Sequence, residues 1–359
     1  MMKRYPITIV AMLGLLVVLG VPTARAVRAP DDQKGVTLTD KPSERRVDVS
    51  IDGHPFTSYI YPATLQKPVL YPIRSAGGKF VTRGFPLDPR PGERTDHPHH
   101  VGHWFNHGDV NGFDFWGHSD ATPAKDLPKA GTIVHKSIVK ASSGPDRGEL
   151  VVTADWNVPD GSTLIHERTV FVFSGAQGRR AIDRVTTWTA AEKPVTFGDT
   201  KEGAFGIRVA RALEQPSKEP EVFVNASGQK ETVPRLDNTG VTGHYLGSDG
   251  KTGDDVWGTR GPWMALLGIV DGQPITLAIL DHPSNYGYPT YWHARGYGLF
   301  AANPLGQHGY DAKQPVRTFT LEPGKSVTFR HRILVLDGQL TGEQMQKEQT
   351  AFASEKSSS

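Results

Sequence analysis

The sequence of 359 residues contains no cysteine. This absence excludes disulfide bonds, a thiol nucleophile, thiolate metal ligands and a lipid-anchored cysteine. Beyond the N-terminal segment no stretch approaches the ~20 apolar residues of a membrane-spanning helix. The formal net charge is only +2, and no basic run is dense enough to follow a phosphate backbone. We therefore expect neither a membrane nor a nucleic acid as a partner of the mature protein.

Several motifs that mark common enzyme folds are also missing. The chain has neither a Gly-x-Ser-x-Gly elbow nor a Gly-x-Gly-x-x-Gly loop that opens a βαβ unit. Serine-hydrolase chemistry and a nicotinamide-binding fold are therefore disfavoured. No internal repeat of about 20 to 50 residues is visible, which argues against a propeller or a solenoid.

The N-terminus has the three parts of a secretory signal peptide. Two basic residues precede an apolar run from Ile7 to Val21, and Ala24-Arg25-Ala26 supplies a small-residue cleavage signature. We expect residues 1–26 to be removed and the protein to be exported to a bacterial periplasm or to the extracellular space. Residues 27–46 are polar and charged and predict a mobile mature N-terminus. Residues 47–359 predict one large domain.

That domain is predicted to be all-β. The 39 glycines and 27 prolines of the whole sequence are spread along the chain and disfavour long helices. Roughly a dozen β-type runs with hairpin spacing, beginning with Val47–Ile51 and Phe56–Ile60, predict a large antiparallel β-sandwich. Only residues 341–353 or so predict a helix, for which Thr341 and Gln344 would form a capping box.

A first polar segment runs from Thr95 to Trp116 and holds five of the 14 histidines. In an extended chain His97 and His99 share one face and His100 takes the other. Imidazoles this close together are costly to bury unless a metal, carboxylates or a polar substrate satisfies them. A polar surface loop is the alternative. We favour the functional interpretation because two further segments of similar chemistry follow.

The other two segments lie near Glu202 and between Asp281 and Tyr297. Glu202 precedes a strand on which Arg208 would project opposite to the apolar side chains, and nearby glycines would let a ligand approach. In the last segment His293 and Arg295 would share a face. The alternatives are a plain turn carboxylate at Glu202 and an arginine at 295 that pairs with some carboxylate.

The polar motifs resemble those of the PmoA-like family of secreted bacterial proteins. The motifs are Asp96-His-Pro-His-His100, His107-Gly-Asp-Val-Asn-Gly112, Lys201-Glu-Gly-Ala-Phe-Gly-Ile-Arg208, Asp281-His-Pro-Ser-Asn285 and Trp292-His293. The resemblance covers nearly all of the mature chain and implies a sugar-processing protein with a galactose-mutarotase-like supersandwich. We do not adopt that family's methane-oxygenase label, because particulate methane oxidation needs a membrane-embedded copper enzyme.

A saccharide offers hydroxyl groups and an apolar ring face, which suit these polar and aromatic side chains. We predict that His100 and His293 supply acid–base catalysis with Glu202 as the partner carboxylate. Alternatively, Glu202 with Asp109 or Asp199 would form a carboxylate pair for glycoside hydrolysis. The predicted substrate-binding residues are His99, His107, Asp109, Arg208, His282, Asn285, Trp292, Arg295 and Asn303. Of the tryptophans, Trp104, Trp116 and Trp292 would stack on the sugar or belong to the core.

A metal site is a further alternative. His97 and His99 on one face, with His107 and Asp109 also two residues apart, would suit zinc, copper or iron. Three functions therefore stand: a carbohydrate-active lyase, hydrolase or epimerase, which we favour, a non-catalytic carbohydrate-binding protein, and a metal-dependent oxidase or oxygenase. The favoured function requires His100, Glu202 and His293 to meet in one pocket.

Overall fold

The computed structural model describes residues 1–2, 34–233 and 237–355. Within this part of the chain two eight-stranded sheets, with antiparallel pairing throughout, pack face to face, which confirms the predicted all-β sandwich. Most of the predicted signal peptide lies outside the described residues. No helix of the described part is both long and apolar enough to span a bilayer.

The first sheet carries the candidate site. In spatial order its strands are β1 (Val36–Lys41), β2 (Arg46–Ile51), β3 (His54–Ile60), β4 (Val69–Leu70), β5 (His103–His107), β11 (Gly203–Arg208), β18 (Leu299–Asn303) and β17 (Tyr291–Arg295). Strand β1 contradicts the predicted mobile segment 27–46 over its second half. It pairs along its whole length with β2, and Lys41 forms an ion pair with Asp48 at 2.8 Å. The pairing with β2 holds residues 36–41 in a strand, which the polar sequence of this segment does not predict.

The second sheet is built from longer strands. In spatial order they are β14 (His244–Gly247), β15 (Trp263–Val270), β16 (Gln273–Asp281), β20 (Ser326–Asp337), β9 (Arg179–Ala190), β8 (Thr163–Ala176), β7 (Arg147–Asn157) and β6 (Thr132–Ser142). Two further antiparallel pairs of short strands are present, β10 (Val195–Phe197) with β19 (Phe319–Leu321) and β12 (Glu221–Val224) with β13 (Lys230–Val233). The 3-10 helices within the described residues are Pro42–Glu44, Leu127–Lys129, Arg211–Leu213 and Gly253–Val256.

The C-terminal helix α1 (Gly342–Ser354) covers the outer face of the second sheet. Thr341 accepts a hydrogen bond from the backbone of Gln344, whose side chain in turn accepts one from the backbone of Thr341, so the predicted capping box is confirmed. Met345 and Phe352 of α1 pack on this sheet. Strand β16 is therefore apolar on both faces, because one face meets the sandwich core and the other meets the helix.

Apolar side chains of both sheets fill the main core between them. A separate apolar cluster lies on the outer face of the first sheet and includes Trp104, Trp116, Leu299 and Ala301. Phe105, the neighbour of Trp104 on β5, belongs to the main core. Because side chains alternate along a strand, this difference marks the even-numbered positions of β5 as the outer face. The polar segments gather over this outer face.

Candidate functional site

Four neighbouring strands of the first sheet form the floor of the candidate site. Trp104 on β5 lies opposite Gly206 on β11, which lies opposite Ala301 on β18, which in turn lies opposite His293 on β17. Residues paired in this way point to the same side of the sheet. A Cβ atom at position 206 would lie 2.5 Å from the Trp104 ring, so glycine is needed there for the indole to lie against the strand.

Four aromatic rings stack into a column above this floor. The His100 ring stacks on Trp104 at 5.1 Å between centroids, His97 stacks on His100 at 4.9 Å, and Tyr297 stacks on His97 at 5.2 Å. The interplanar angles are 12°, 2° and 1° respectively. His99 meets the column edge-on, with its ring centroid 4.3 Å from that of His100. The structure therefore brings the three clustered histidines together.

Trp116 connects this column with the third polar segment. Its ring lies 5.5 Å from that of His100 and 6.4 Å from that of His293, measured between centroids. His100 and His293 thus contact the same indole, although they are 193 positions apart in the chain (293 − 100). Both side chains are almost fully buried. The predicted convergence of the first and last segments is present in the fold.

Two buried arginines hold the histidine loop in place. Asp96 Oδ1 accepts hydrogen bonds from Arg83 at 2.8 Å and from Arg208 at 2.6 Å, and Asp96 Oδ2 pairs with His97 Nδ1 at 2.6 Å. Burial opposes ionisation of Asp96, but the His97 hydrogen bond and the two guanidinium charges hold its pKa well below the usual range. Arg83 also donates to the backbone carbonyls of His97 and His100. The loop is therefore built around a fixed carboxylate.

The buried histidines are uncharged at neutral pH. Burial lowers the pKa of His99 to about 2, with Lys67 as the next cause, and lowers the pKa of His293 to about 3, with Lys201 as the next cause. Burial also lowers the pKa of His100 well below its ordinary value. Each ring thus offers one N–H donor and one acceptor nitrogen.

The contacts of Arg208 fix the tautomer of His100. Arg208 lies 3.3 Å from His100 Nδ1 through its own Nη1, and a guanidinium only donates. Nδ1 is therefore the acceptor, which leaves the proton on Nε2. Arg208 also lies 4.9 Å from the centre of the Tyr297 ring, so it contacts two of the four rings of the column.

Several buried polar atoms of this face have no hydrogen-bond partner among the described residues. They are His100 Nε2, Trp104 Nε1, Asn106 Oδ1 and His293 Nδ1. Such orphaned groups are uncommon in folded proteins and cost about 1–3 kcal/mol each. These four atoms lie on the face that carries the ring column, where a polar ligand would complete their hydrogen bonding, while other buried atoms of the described residues, such as Arg90 Nε and Glu214 Oε1, also lack partners.

Glu202 lies at the edge of this arrangement. Its carboxylate pairs with Lys201 and is 37% exposed, so it is not buried with the histidines. Burial raises the pKa of Tyr297 to about 12, and the charge of Glu202 contributes to that rise. Glu202 is therefore near the open end of the column, while the contacts between Trp116 and the two catalytic candidates lie deeper.

Two predicted ligands, His107 and Asp109, lie away from the cluster. His107 points to the core side of β5, where its Nε2 pairs with the carbonyl of Gly198 at 2.7 Å. Asp109 closes a turn by accepting from the backbone of Gly112. The proposed metal set of His97, His99, His107 and Asp109 is thus divided between two faces. Within the described residues, no three His, Asp or Glu side chains form a group that suits a metal ion.

The Asp281–Asn285 segment also lies elsewhere, contrary to expectation. His282 pairs with Ser284 at 2.8 Å and with Arg330 at 3.0 Å, and its ring meets Phe352 of the C-terminal helix. Asn285 donates to Asp281 and accepts from the backbone of Arg330. Both predicted substrate-binding residues are therefore part of the packing at the end of the second sheet.

Three other predicted binding residues have structural partners. Trp292 faces the main core, where it meets Phe300, because it alternates with His293 on β17. Asn303 holds the Thr200 carbonyl at 2.9 Å and caps the turn that follows β18, so it positions the Glu202 turn. Arg295 lies on the same side of β17 as His293 but stacks over Trp257 at 4.6 Å.

Sequence reasoning missed Arg83 and Lys67. Arg83 is 1% exposed and serves backbone carbonyls that follow it in the chain, a role with no local sequence pattern. Lys67 is buried beside Trp104 and donates to the Trp116 carbonyl at 3.1 Å. The only signal for either residue is a charge next to an apolar strand, and that signal is common on protein surfaces.

A family model described as a family of unknown function, DUF6807, matches residues 46–350. No curated protein matches the sequence. Among solved structures the chain is similar to the GH36 α-galactosidase AgaB from Geobacillus stearothermophilus, at 11% identity and a TM-score of 0.41. This match covers 85% of the present chain and 42% of the galactosidase, so the chain spans less than half of that protein.

Two shorter proteins match over nearly their whole length. The galactose 1-epimerase from Lactobacillus acidophilus NCFM matches at 11% identity and a TM-score of 0.38, covering 86% of this chain and 100% of the epimerase. A galactose mutarotase-like protein from Clostridium acetobutylicum matches at 10% identity and a TM-score of 0.36, covering 85% of this chain and 99% of that protein. At this level of similarity these matches assign no residue of the site.

Proposed function

The chain belongs to the DUF6807 family, a family of unknown function, and on that premise we propose that it is an exported carbohydrate-active enzyme. We also propose that residues 1–26 are a signal peptide and that the protein is related to the PmoA-like proteins. The observation that carries the proposed function is that His100 and His293 both contact the Trp116 ring, and each has a nitrogen with no partner among the described residues. An aromatic surface beside polar groups suits a sugar ring and its hydroxyls.

The geometry favours proton transfer over hydrolysis by paired carboxylates. Asp199 is engaged in a turn, where it accepts backbone hydrogen bonds from Gln307, His308 and Arg317. Asp109 closes another turn. Glu202 therefore has neither of the expected carboxylate partners for a two-carboxylate mechanism. An epimerase-type reaction, which removes a proton from the sugar and returns one to it, or a lyase-type reaction, in which a base removes a proton from a sugar carbon while the C–O bond to the leaving oxygen breaks, remains the best match.

The histidines would take different roles in such a reaction. Neutral His293 offers a lone pair that accepts a proton from the sugar, and it returns that proton at the end of the turnover. His100 donates a hydrogen bond through its Nε2–H to an oxygen on which negative charge develops. Glu202, at the open end of the column, is the alternative proton acceptor.

Binding without turnover is the second candidate function. The pKa of His293 is lowered to about 3, mainly by burial, so this imidazole is a weak base at neutral pH. A weak base still accepts hydrogen bonds from sugar hydroxyls. The same site would then recognise a saccharide and leave it unchanged.

Turnover measurements with matched histidine variants separate these functions. We expect His293→Gln and His100→Gln each to lower the turnover of an active saccharide by about 100-fold or more, because both remove a group that contacts the reacting atoms. His282→Gln is the control, since it changes the same residue type in the other Asp-His-Pro motif and should leave turnover intact. Anomer exchange by NMR and products by mass spectrometry provide the readouts. Saccharide binding without any product would establish the binding protein instead, and the absence of both would refute the proposal.

A further inference from the structure

A cleft of about 300 Å³ adjoins the histidine column on the side of His99. Its wall contains Lys67, His99, His118, Asp120 and Lys230. The ring of His99 contacts those of His97 and His100, so the cleft and the column share a wall. A ligand of two or more sugar units that stacks at the column would extend into this cleft.

Lys67 is unusually placed for a lysine. Its residue exposure is 5%, its ammonium group donates to the Trp116 carbonyl at 3.1 Å, and the same group lies 5.8 Å from the centre of the Trp104 ring. An ammonium group has three protons to donate. Lys67 forms no ion pair with a carboxylate of the described residues, although the charge of Asp114 is near enough to raise its pKa. Lys67 therefore lacks a counter-ion of its own.

Charge around the cleft is mainly positive. Lys67 and Lys230 contribute two ammonium groups, while Asp120 is the carboxylate of the lining and accepts a hydrogen bond from Gln66 at 3.1 Å. A buried charge without a partner is costly, and it is stabilised by an anion that enters its surroundings. Burial lowers the pKa of Lys67 to about 7, with Asp114 opposing the change, so an entering anion would also favour the protonated amine.

We propose that this cleft is a subsite for a carboxylate, and that the saccharide bound by this protein contains a uronic acid whose carboxylate pairs with Lys67. This inference rests on the proposed function and narrows its substrate class. The His99 ring forms a second hydrogen bond with the same sugar unit. The neighbouring sugar unit lies against the ring column. Lys230, at the outer part of the lining, adds attraction at longer range.

Calorimetric binding to matched ligand pairs tests the subsite. The ligands are glucuronate and galacturonate oligosaccharides, each compared with the neutral oligosaccharide made by reducing its carboxyl groups. We expect the wild-type protein to bind a uronate ligand about 10-fold or more tightly than its neutral counterpart, as one charge-assisted hydrogen bond provides. Lys67→Met should abolish that preference, so that the uronate ligand and its neutral counterpart bind equally. Lys125→Met, at an exposed position, is the control of equal charge change and should keep the preference.

The outcomes distinguish this inference from the proposed function. Equal binding of uronate and neutral ligands, or an undiminished preference in Lys67→Met, would overturn the carboxylate subsite and leave the saccharide site standing. Binding of no saccharide at all would overturn both. If Lys67→Met does not fold, Lys67→Gln replaces it. Lys230→Met is an independent test, because loss of a partly screened charge should lower the affinity ratio of uronate to neutral ligand by only about 2-fold to 3-fold.

Discussion

The tripeptide Asp-His-Pro occurs twice in this chain, at 96–98 and at 281–283, and the two copies have different fates. At the second copy, Asp281 accepts from Asn285 at 2.6 Å and from the backbone of Thr290 at 2.9 Å. Both nitrogens of His282 have partners. This copy joins the second sheet to the C-terminal helix, and neighbouring residues form hydrogen bonds with the side chains of its Asp281 and His282.

The first copy lies beside buried polar atoms that have no hydrogen-bond partner among the described residues. Asp96 is held by two arginines, and His97 enters a column of rings that includes His100, whose Nε2 has no partner in the described residues. The local sequence is the same in both copies. What differs is the set of side chains that the sheets bring from elsewhere in the chain. A candidate site is therefore recognised by what remains unsatisfied after folding.

The largest expected difference between the two copies concerns their arginines. Arg208→Met leaves Asp96 with one of its two buried guanidinium partners and should lower the free energy of unfolding by about 3 kcal/mol. It also removes the hydrogen bond to His100 Nδ1, so saccharide binding should be lost. Urea unfolding followed by tryptophan fluorescence, together with calorimetric binding, measures both effects.

Arg330→Met is the matched change at the second copy. Arg330 pairs with His282 and with the carbonyl of Glu355 at a half-buried position. We expect a loss of about 1 kcal/mol of stability and unchanged saccharide binding. If Arg330→Met weakened binding as much as Arg208→Met, the distinction between the two copies would be wrong.

The pH dependence of stability should have opposite signs at the candidate site, represented by His293, and at the second copy. Burial lowers the pKa of His293 to about 3, so between pH 6.5 and 3 the unfolded chain binds a proton that the folded protein does not. The stability contributed above pH 6.5 is then lost as the pH falls, by up to about 1.4 kcal/mol per pH unit. His293→Gln should make this slope smaller by the share of His293, because His99 and His100 also have lowered pKa values and keep their own contributions, and urea unfolding at successive pH values measures the change.

Asp281→Asn provides the contrasting measurement. Burial raises the pKa of Asp281 from 3.8 to about 7, against the hydrogen bond from Asn285, so the folded protein holds a proton that the unfolded chain has released. Its contribution to stability is present below pH 3.8 and is lost as the pH rises to 7. Asp281→Asn should therefore make stability rise more steeply with pH across this range. Equal slopes in the two variants would contradict the assignment.

Much of the fold follows from local patterns, because strand β2 shows the alternation that a half-buried sheet requires and the helix has a complete capping box. The first strand was missed because Val36–Lys41 is held mainly by register with β2, a contact that local sequence does not encode. The twofold periodicity also correctly predicted that Arg208 projects away from Phe205, which faces the core. Period-two reasoning applied to β5 would have assigned His107 to the core side together with Phe105.

The site could be predicted only in part. His97, His99 and His100 cluster in space as in sequence, but the extended chain that set His100 opposite to His97 is wrong, because the backbone turns at His97 (φ 43°) and the His97 and His100 rings stack. The convergence with His293 follows from neighbouring strands. The contribution of Arg83 could not be foreseen, because its partners are backbone carbonyls that fold around it. His282 and Asn285 were misassigned because a sequence motif shows which polar groups are present, but it does not show which of them lack hydrogen-bond partners in the folded protein.

The smallest expected effect tests whether the second copy is purely structural. Thr341 caps the helix that packs beside His282, and Thr341→Ala removes the hydrogen bond to the Gln344 backbone. Loss of such a cap costs about 1 kcal/mol of stability. Saccharide affinity should stay unchanged, because the helix lies on the outer face of the second sheet while the column lies on the outer face of the first. Thr341→Ser, which keeps the hydroxyl, is the control, and a fall in affinity in the alanine variant alone would show that the two outer faces are coupled through the core.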